Sequence, residues 1–396
     1  MGTTACHVEV KYFDFSKIDY RGTLKELPTW EIAVKISVVV LLELFALLGN
    51  ILVIALVLYC KKLRTTTNYY IVNLAVSDLL VACFPIWMHL VDSLTDGWVL
   101  GAFLCKVNPF IQIIILLSNV FTLIVIAGDR FFAIMFPLKS RVTQRKVSVV
   151  LILVWLCATV IGMPVLFFFT YDERVWKDYH ERYCTEVWPM VRASETTCDM
   201  GVMSKRAYWT FVCVVLNWIP MIVMTMTYTI ILIKLRGHKV VPSNSTMSKS
   251  AIQQRSKRKV IKMLFSVLVI FIVCALPFQI TKLYNLYRQD QTEKLPNWFE
   301  PLDFAAVLLL YANSAINPII YGGLNDNFRS GLKDMFNSVI LRKPRSNSEY
   351  GSDQHSRSLY GRGPLSTIRR NNIKMYETGK DDTDENKPEP NIRFSS

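Results

Sequence analysis

Charge is scarce in this chain. Of its 396 residues only 19% are charged while 52% are hydrophobic, against about a quarter charged in an ordinary soluble domain. That shortage disfavours a soluble enzyme of two or three domains. The apolar residues also lack the period-2 alternation of a lipid-facing barrel strand, which sets a membrane barrel aside. Neither a nucleophile–base pair nor a metal-ligand spacing occurs, so an intramembrane enzyme is disfavoured. Inverted repeats, on which many secondary transporters are built, are absent too. The net charge of +14 would suit a nucleic-acid binder, but the Lys and Arg lie in short gaps between apolar blocks and near the C-terminus. No nucleic-acid partner is expected. Residues 1–31 hold no signal-like apolar core, so the first apolar block is expected to serve as its own insertion signal.

What the chain has instead is a series of apolar blocks, each long enough to cross about 30 Å of hydrocarbon as a helix. Seven stand out, at 36–60, 65–91, 107–128, 147–171, 207–233, 263–281 and 304–324. Inside hydrocarbon every backbone polar group must pair within the protein, which leaves helices. The chain reads as an all-α membrane protein, a seven-transmembrane helix bundle. Pro85, Pro164, Pro220, Pro277 and Pro318 fall within spans, where each removes a donor and kinks its helix, leaving room for a cavity.

Short loops rich in Lys and Arg stay in the cytosol. Lys61, Lys62 and Arg64, then Lys139, Arg141, Arg145 and Lys146, then nine more within 234–262 make sixteen basic residues on one side, with no acid beyond Asp129. In the alternate gaps the acids outnumber the basic residues. The N-terminus is therefore expected outside and the C-terminus inside. The only glycosylation sequon, Asn244-Ser245-Thr246, falls on the cytosolic side. Three regions follow: an extracellular segment 1–32, a membrane domain 33–340, and a disordered cytoplasmic tail 341–396, polar and poor in large apolar residues.

Of nine cysteines, Cys60, Cys83, Cys157, Cys213 and Cys274 lie in or beside spans and read as packing. Cys6, Cys105, Cys184 and Cys198 lie on the oxidising side, where three pairings are open. An ionisable group at membrane depth is a functional candidate by default. Asp78 lies mid-way along the second span, and Asn50, Asn119, Asn313, Ser314 and Asn317 lie at comparable depth. Such a cluster either holds a small hard cation through oxygen ligands or forms a static hydrogen-bond hub. Asp129-Arg130 closes the third span, where the guanidinium either pairs with its neighbour or reaches across the bundle.

These residues form a pattern. Gly49-Asn50, Leu74-Ala75-Val76-Ser77-Asp78, Trp98, Cys105, Asp129-Arg130-Phe131, Trp155, Pro220 with Tyr228, Cys274-Ala275-Leu276-Pro277 and Asn317-Pro318-Ile319-Ile320-Tyr321 recur in order over seven spans. Across residues 33–340 the chain resembles the rhodopsin-like (class A) G-protein-coupled receptors. The resemblance implies a plasma-membrane receptor with no enzymatic activity, in which an extracellular ligand shifts a two-state bundle. The inner ends of spans five and six then move outward to admit a heterotrimeric G protein. It implies a Cys105–Cys184 disulfide drawing loop 170–206 across the bundle mouth, leaving Cys6 and Cys198 paired or free. It also implies a short amphipathic eighth helix from Asn327 to Phe336. The switch would be Asp129, Arg130, Tyr228, Phe271, Pro277, Asn317, Pro318 and Tyr321. Asp78, Asn119, Asn313, Ser314 and Asn317 form a candidate sodium site, and no other cofactor is expected.

There are departures. Phe131 replaces the usual Tyr, and Ala275 stands where the family often has Trp, so Phe278 is a candidate substitute. Lys257, Arg258 and Lys259 occupy the inner end of span six, so an acid-to-Arg130 lock is not expected. The seventh span contains no Lys, which excludes a retinal Schiff base, and Gln112 stands where amine receptors carry Asp. Gln112, Trp98-x-x-Gly101-x-x-x-Cys105-Lys106 and the long 170–206 loop resemble the neuropeptide Y, neuropeptide FF, orexin and tachykinin receptor group. The excess of acids outside suggests a cationic, amidated neuropeptide. Gln112, Gln279, Glu186, Asp92, Asp303, Trp188 and Tyr311 are the candidate contacts. Partners implied inside are a G protein, membrane lipid, and a receptor kinase and arrestin acting on Ser346, Ser348, Ser352, Ser356, Ser358, Ser366 and Thr367. The alternatives are a class A receptor for a non-peptide ligand and a seven-helix cation transporter.

Overall fold

The structure is a computed structural model that describes residues 14–20, 24, 26–136, 144–188, 202–237, 245–288, 295–296 and 298–339. Cys6, Cys198, Arg141 and the tail phosphosites lie outside these. Among the described residues seven helices are long and apolar enough to cross a membrane: α1 (Thr29–Tyr59), α2 (Thr66–Leu94), α3 (Gly101–Met135), α4 (Gln144–Phe168), α5 (Val202–Arg236), α6 (Ser245–Tyr287) and α7 (Phe299–Leu324). A short helix, α8 (Asp326–Val339), follows. The chain is thus a multi-pass membrane protein. Leu48, Ile152, Phe167, Ile233 and Ile319 are each more than 60% exposed, which suits lipid rather than water on the bundle's outer surface. Ile71, Leu117, Val120, Leu268 and Ala275 are fully enclosed at its centre.

Proline explains the local geometry. Phe84 leaves helical geometry (φ −124°, ψ −76°) because the Pro85 ring clashes with a helical predecessor, and α2 restarts at Pro85. In α7, Pro318 has no N–H to give the Ser314 carbonyl four residues earlier. Asn50 of α1 supplies the missing donor: its Nδ2 donates to Ser314 O at 2.9 Å and to Ala46 O at 2.8 Å. The approach needs Gly49, since a Cβ there would lie 2.7 Å from Pro318 Cγ. The Gly-Asn pair in α1 and the proline in α7 are therefore one device. In α5, residues Phe211–Trp218 form a wide π-helical stretch just before Pro220.

Helix–helix polar links hold the middle of the bundle. Trp155 Nε1 donates to Asn73 Oδ1 at 2.8 Å, and Asn73 Nδ2 donates to Thr122 Oγ1 at 2.9 Å, tying α4, α2 and α3 together. The eighth helix packs back on α1, with Gly331 against the Cys60 thiol and Leu63 and with Phe328 buried beside Tyr321.

One feature corrects the sequence reading. The segment after span four is not plain loop: β1 (Phe169–Val175) and β2 (His180–Glu186) form an antiparallel hairpin with Tyr171 opposite Cys184. Its alternation was hidden because charged and aromatic residues occupy both faces. The Cys105–Cys184 disulfide anchors the hairpin to α3. The Arg182 carbonyl accepts from Trp98 N at 2.9 Å. Gly97 allows this contact: it has φ +77°, and a Cβ there would sit 2.2 Å from the same carbonyl.

Candidate functional site: a central column between two bundle ends

The bundle has a hairpin end and an Arg130 end, with two small cavities between them. The first is lined by Val81, Pro85, Gln112, Ile115, Leu116, Asn119, Phe271, Leu310, Tyr311, Asn313 and Ser314. The second is lined by Leu74, Asn119, Leu123, Val267, Phe271, Asn313 and Asn317. Asn119, Phe271 and Asn313 line both, so the two adjoin in a column around the Phe271 ring.

At the top, Gln112 Nε2 donates to the Tyr311 hydroxyl at 3.1 Å, joining α3 to α7. Gln279 of α6 is 1% exposed; its Oε1 accepts from Trp218 Nε1, while its Nε2 has no partner. Asp303 Oδ1 accepts from the Thr281 hydroxyl at 2.7 Å, and Asp92 is exposed at the end of α2. Trp188 stacks between Phe168 and Tyr208.

Glu186, the last residue of β2, sits in a denser arrangement. Its Oε1 accepts from Trp209 Nε1 at 2.6 Å and Trp188 Nε1 at 3.2 Å. Its Oε2 lies 3.0 Å from Lys205 Nζ and 3.7 Å from Lys282 Nζ. Burial pushes this carboxyl up, but Lys282, Lys205 and the hydrogen bonds from Lys205 and Trp209 outweigh it and hold it below the ordinary range. Glu186 is thus a paired carboxylate joining β2, α5 and α6. Sequence reasoning missed Lys282: it follows directly on the apolar block ending at 281 and was assigned to neither span nor loop, whereas α6 runs on to Tyr287.

Half-way down, Asp78 is fully buried and its Oδ2 accepts from Asn317 Nδ2 at 2.9 Å. Around it the acceptor atoms Asp78 Oδ1, Asn119 Oδ1, Asn313 Oδ1 and Asn317 Oδ1, and the hydroxyls Ser77 Oγ and Ser118 Oγ, have no protein partner. Such a set of oxygens fits a hard cation or water. Of the predicted cluster, Asn317 reaches Asp78, and Asn119, Asn313 and Asn317 line the second cavity.

At the far end, Arg130 Nε donates to Asp129 Oδ2 at 3.1 Å, and a terminal guanidinium nitrogen meets the same oxygen. The Tyr228 and Tyr321 hydroxyls are buried with no partner among the described residues, although a buried hydroxyl left unpaired costs about 1–3 kcal/mol. Lys259 of α6 pairs with Asp326, the first residue of α8, which also pairs with Arg329. Ala275 is completely enclosed, and Phe278 packs against the apolar cluster that includes Ile86, Ile115, Val307 and Tyr311.

A seven-helix bundle with a disulfide-anchored hairpin at one end, an Asp-Arg pair at the other and a polar column between them has the build of a signalling receptor rather than an enzyme. Residues 49–321 match the 7 transmembrane receptor (rhodopsin family), and the chain belongs to that family. Among similar proteins, a QRFP-like peptide receptor of Branchiostoma floridae is 32% identical, over 76% of this chain and 77% of its own length. The substance-P receptor of Mus musculus is 30% identical over 78% of this chain and 72% of its own. The tachykinin-like peptides receptor 99D of Drosophila melanogaster is 30% identical over 78% of this chain, which spans only 60% of that protein.

Proposed function

We propose that this protein is a plasma-membrane receptor for an extracellular amidated, cationic neuropeptide and that it passes ligand binding to a heterotrimeric G protein. The observation that carries this reading is the column through Phe271, which links the Gln112–Tyr311 pair to Asn317, four residues before Tyr321. Peptide recognition by the similar proteins supports it. In this reading the hairpin end faces the outside, with Gln112, Gln279, Asp92, Asp303, Trp188 and Tyr311 as ligand contacts and Glu186 acting beside Lys205 and Lys282.

The Arg130 end faces the cytosol. There the bundle as described is the resting state: Arg130 holds Asp129 while two buried hydroxyls lack partners. Activation moves the inner ends of α5 and α6 outward around Pro220 and Pro277, and Arg130 leaves Asp129 to meet Tyr228 and Tyr321. Sodium bound at Asp78, Asn119, Asn313, Ser314 and Asn317 would favour the resting state by satisfying acceptors that otherwise lack donors. The basic inner loops meet the G protein and anionic lipid, and a receptor kinase and arrestin act on the tail.

The test is G-protein dissociation in cells expressing the full chain, challenged with a panel of amidated neuropeptides and, separately, small amines and lipids. A potent peptide response is expected, lost in Arg130→Ala and Cys105→Ser at matched surface levels. A response confined to amines or lipids, or ion flux without G protein, would overturn it.

A further inference from the structure

The bundle mouth has a basic side. Along its α5–α6 quarter, residues 202–218 and 277–288 contain no acid yet carry Lys205, Arg206, Lys282 and Arg288. Among the described residues two carboxylates meet them: Glu186, brought in by the hairpin, and Asp303 of α7, which accepts from the Thr281 hydroxyl. Two ammonium groups thus share one buried carboxylate. They share it unequally: Lys205 is in hydrogen-bond contact at 3.0 Å, while Lys282 stands off at 3.7 Å with its Nζ 4.1 Å from the Trp209 ring centroid. An ammonium carries three donors, and Lys282 has only this distant acceptor and an aromatic face described around it.

A second observation points the same way. Gln279 lies one turn before Lys282 on α6, at a spacing that shares a helix face, and its buried Nε2 has no acceptor. Lys282 and Gln279 together make a patch of donors short of acceptors.

We propose that the cleft between the end of β2, α5 and α6 binds an acidic group of the ligand, a carboxylate, with Lys282 as its main counter-charge and Gln279 Nε2 as its second donor. Two lysines and two carboxylates then balance. The proposal rests on the peptide-receptor reading and sharpens it. The peptide carries an acid as well as its basic groups, with the acid toward α5–α6.

The test uses the full-length receptor in lipid nanodiscs and two acetylated, fully randomised heptapeptide libraries, one ending in an amide and the other in a free carboxylate. Peptides retained by the receptor are sequenced. The expected result is at least threefold enrichment of Asp and Glu, or of the free-acid library, over input. That enrichment should be lost in Lys282→Gln, kept in Lys282→Arg, and replaced by Lys and Arg enrichment in Lys282→Glu. Thermal midpoints verify that each variant is folded, and Lys62→Gln, at the far end of the bundle, serves as a control. Acid content equal to input, or unchanged by Lys282→Gln, overturns the proposal. The readout uses no G protein, so the two claims fail separately. Acid-selective retention without G-protein dissociation sinks only the signalling reading, and peptide-driven dissociation without acid selectivity sinks only this one.

Discussion

Asn50 and Gly49 show how one residue's chemistry depends on a distant partner. Asn50 repairs the carbonyl that Pro318 leaves unpaired, and Gly49 has no side chain because Pro318 occupies that space. Both residues were legible as a motif, but their reason was not, because it lies 264 residues away in the chain. Gln112 is similar. Its position in the third span marked it, and the structure adds Tyr311 as its hydrogen-bond partner. Removing the amide takes away a group that a peptide backbone or terminal amide can meet, and leaves the Tyr311 hydroxyl without its donor. Gln112→Ala is expected to weaken agonist potency at least about tenfold, on the order of 1.4 kcal/mol, with unchanged surface expression. Unaltered dose–response curves would remove Gln112 from the pocket.

Among elements, α6 and α8 carry the most specific consequence of the departures from the family pattern. The basic run at the inner end of α6 predicted no acid-to-Arg130 lock there. The described structure gives this run another partner: Lys259 pairs with Asp326 where α8 begins. Both side chains are about half exposed, so solvent screens the pair and its worth is held to about 0.2–1 kcal/mol. If α6 moves outward on activation, this pair must open. Lys259→Ala and Asp326→Ala should then each raise ligand-independent G-protein dissociation by up to about fivefold, the double variant no further than either single one. Additive increases would mean that the two side chains act separately. The hairpin was the element sequence reading failed to see. Its strands carry Asp172, Glu173, Arg174, Glu181 and Arg182 among aromatics, so no apolar face announces a strand, and the pairing follows from the anchor at Cys105.

At the scale of the whole molecule, Glu186 joins the hairpin to α5 and α6, and its ionisation should be visible in global stability. Its folded-state carboxyl is held below the ordinary range. The stabilisation is therefore fully present above the unfolded value, about 4.3, and is lost as pH falls through the lowered folded value. The thermal midpoint of solubilised wild type should exceed that of Glu186→Gln by a constant margin between about pH 5 and pH 8, with the gap closing below about pH 4 as protonation makes the two alike. A margin that persists into acid would show that the carboxylate's charge contributes nothing.

The sequence by itself determined the seven spans and the family, and it marked polar residues at membrane depth. Hydrocarbon imposes a length and a composition on every crossing helix, and a charge placed among apolar residues stands out against that background. Only the tertiary structure decided which donors find acceptors: that Asn50 serves Ser314, that Lys259 meets Asp326, and that Glu186 is shared between Lys205 and Lys282. Hydrogen bonds and ion pairs act over a few ångströms, and sequence separation carries no measure of that distance until the helices have packed.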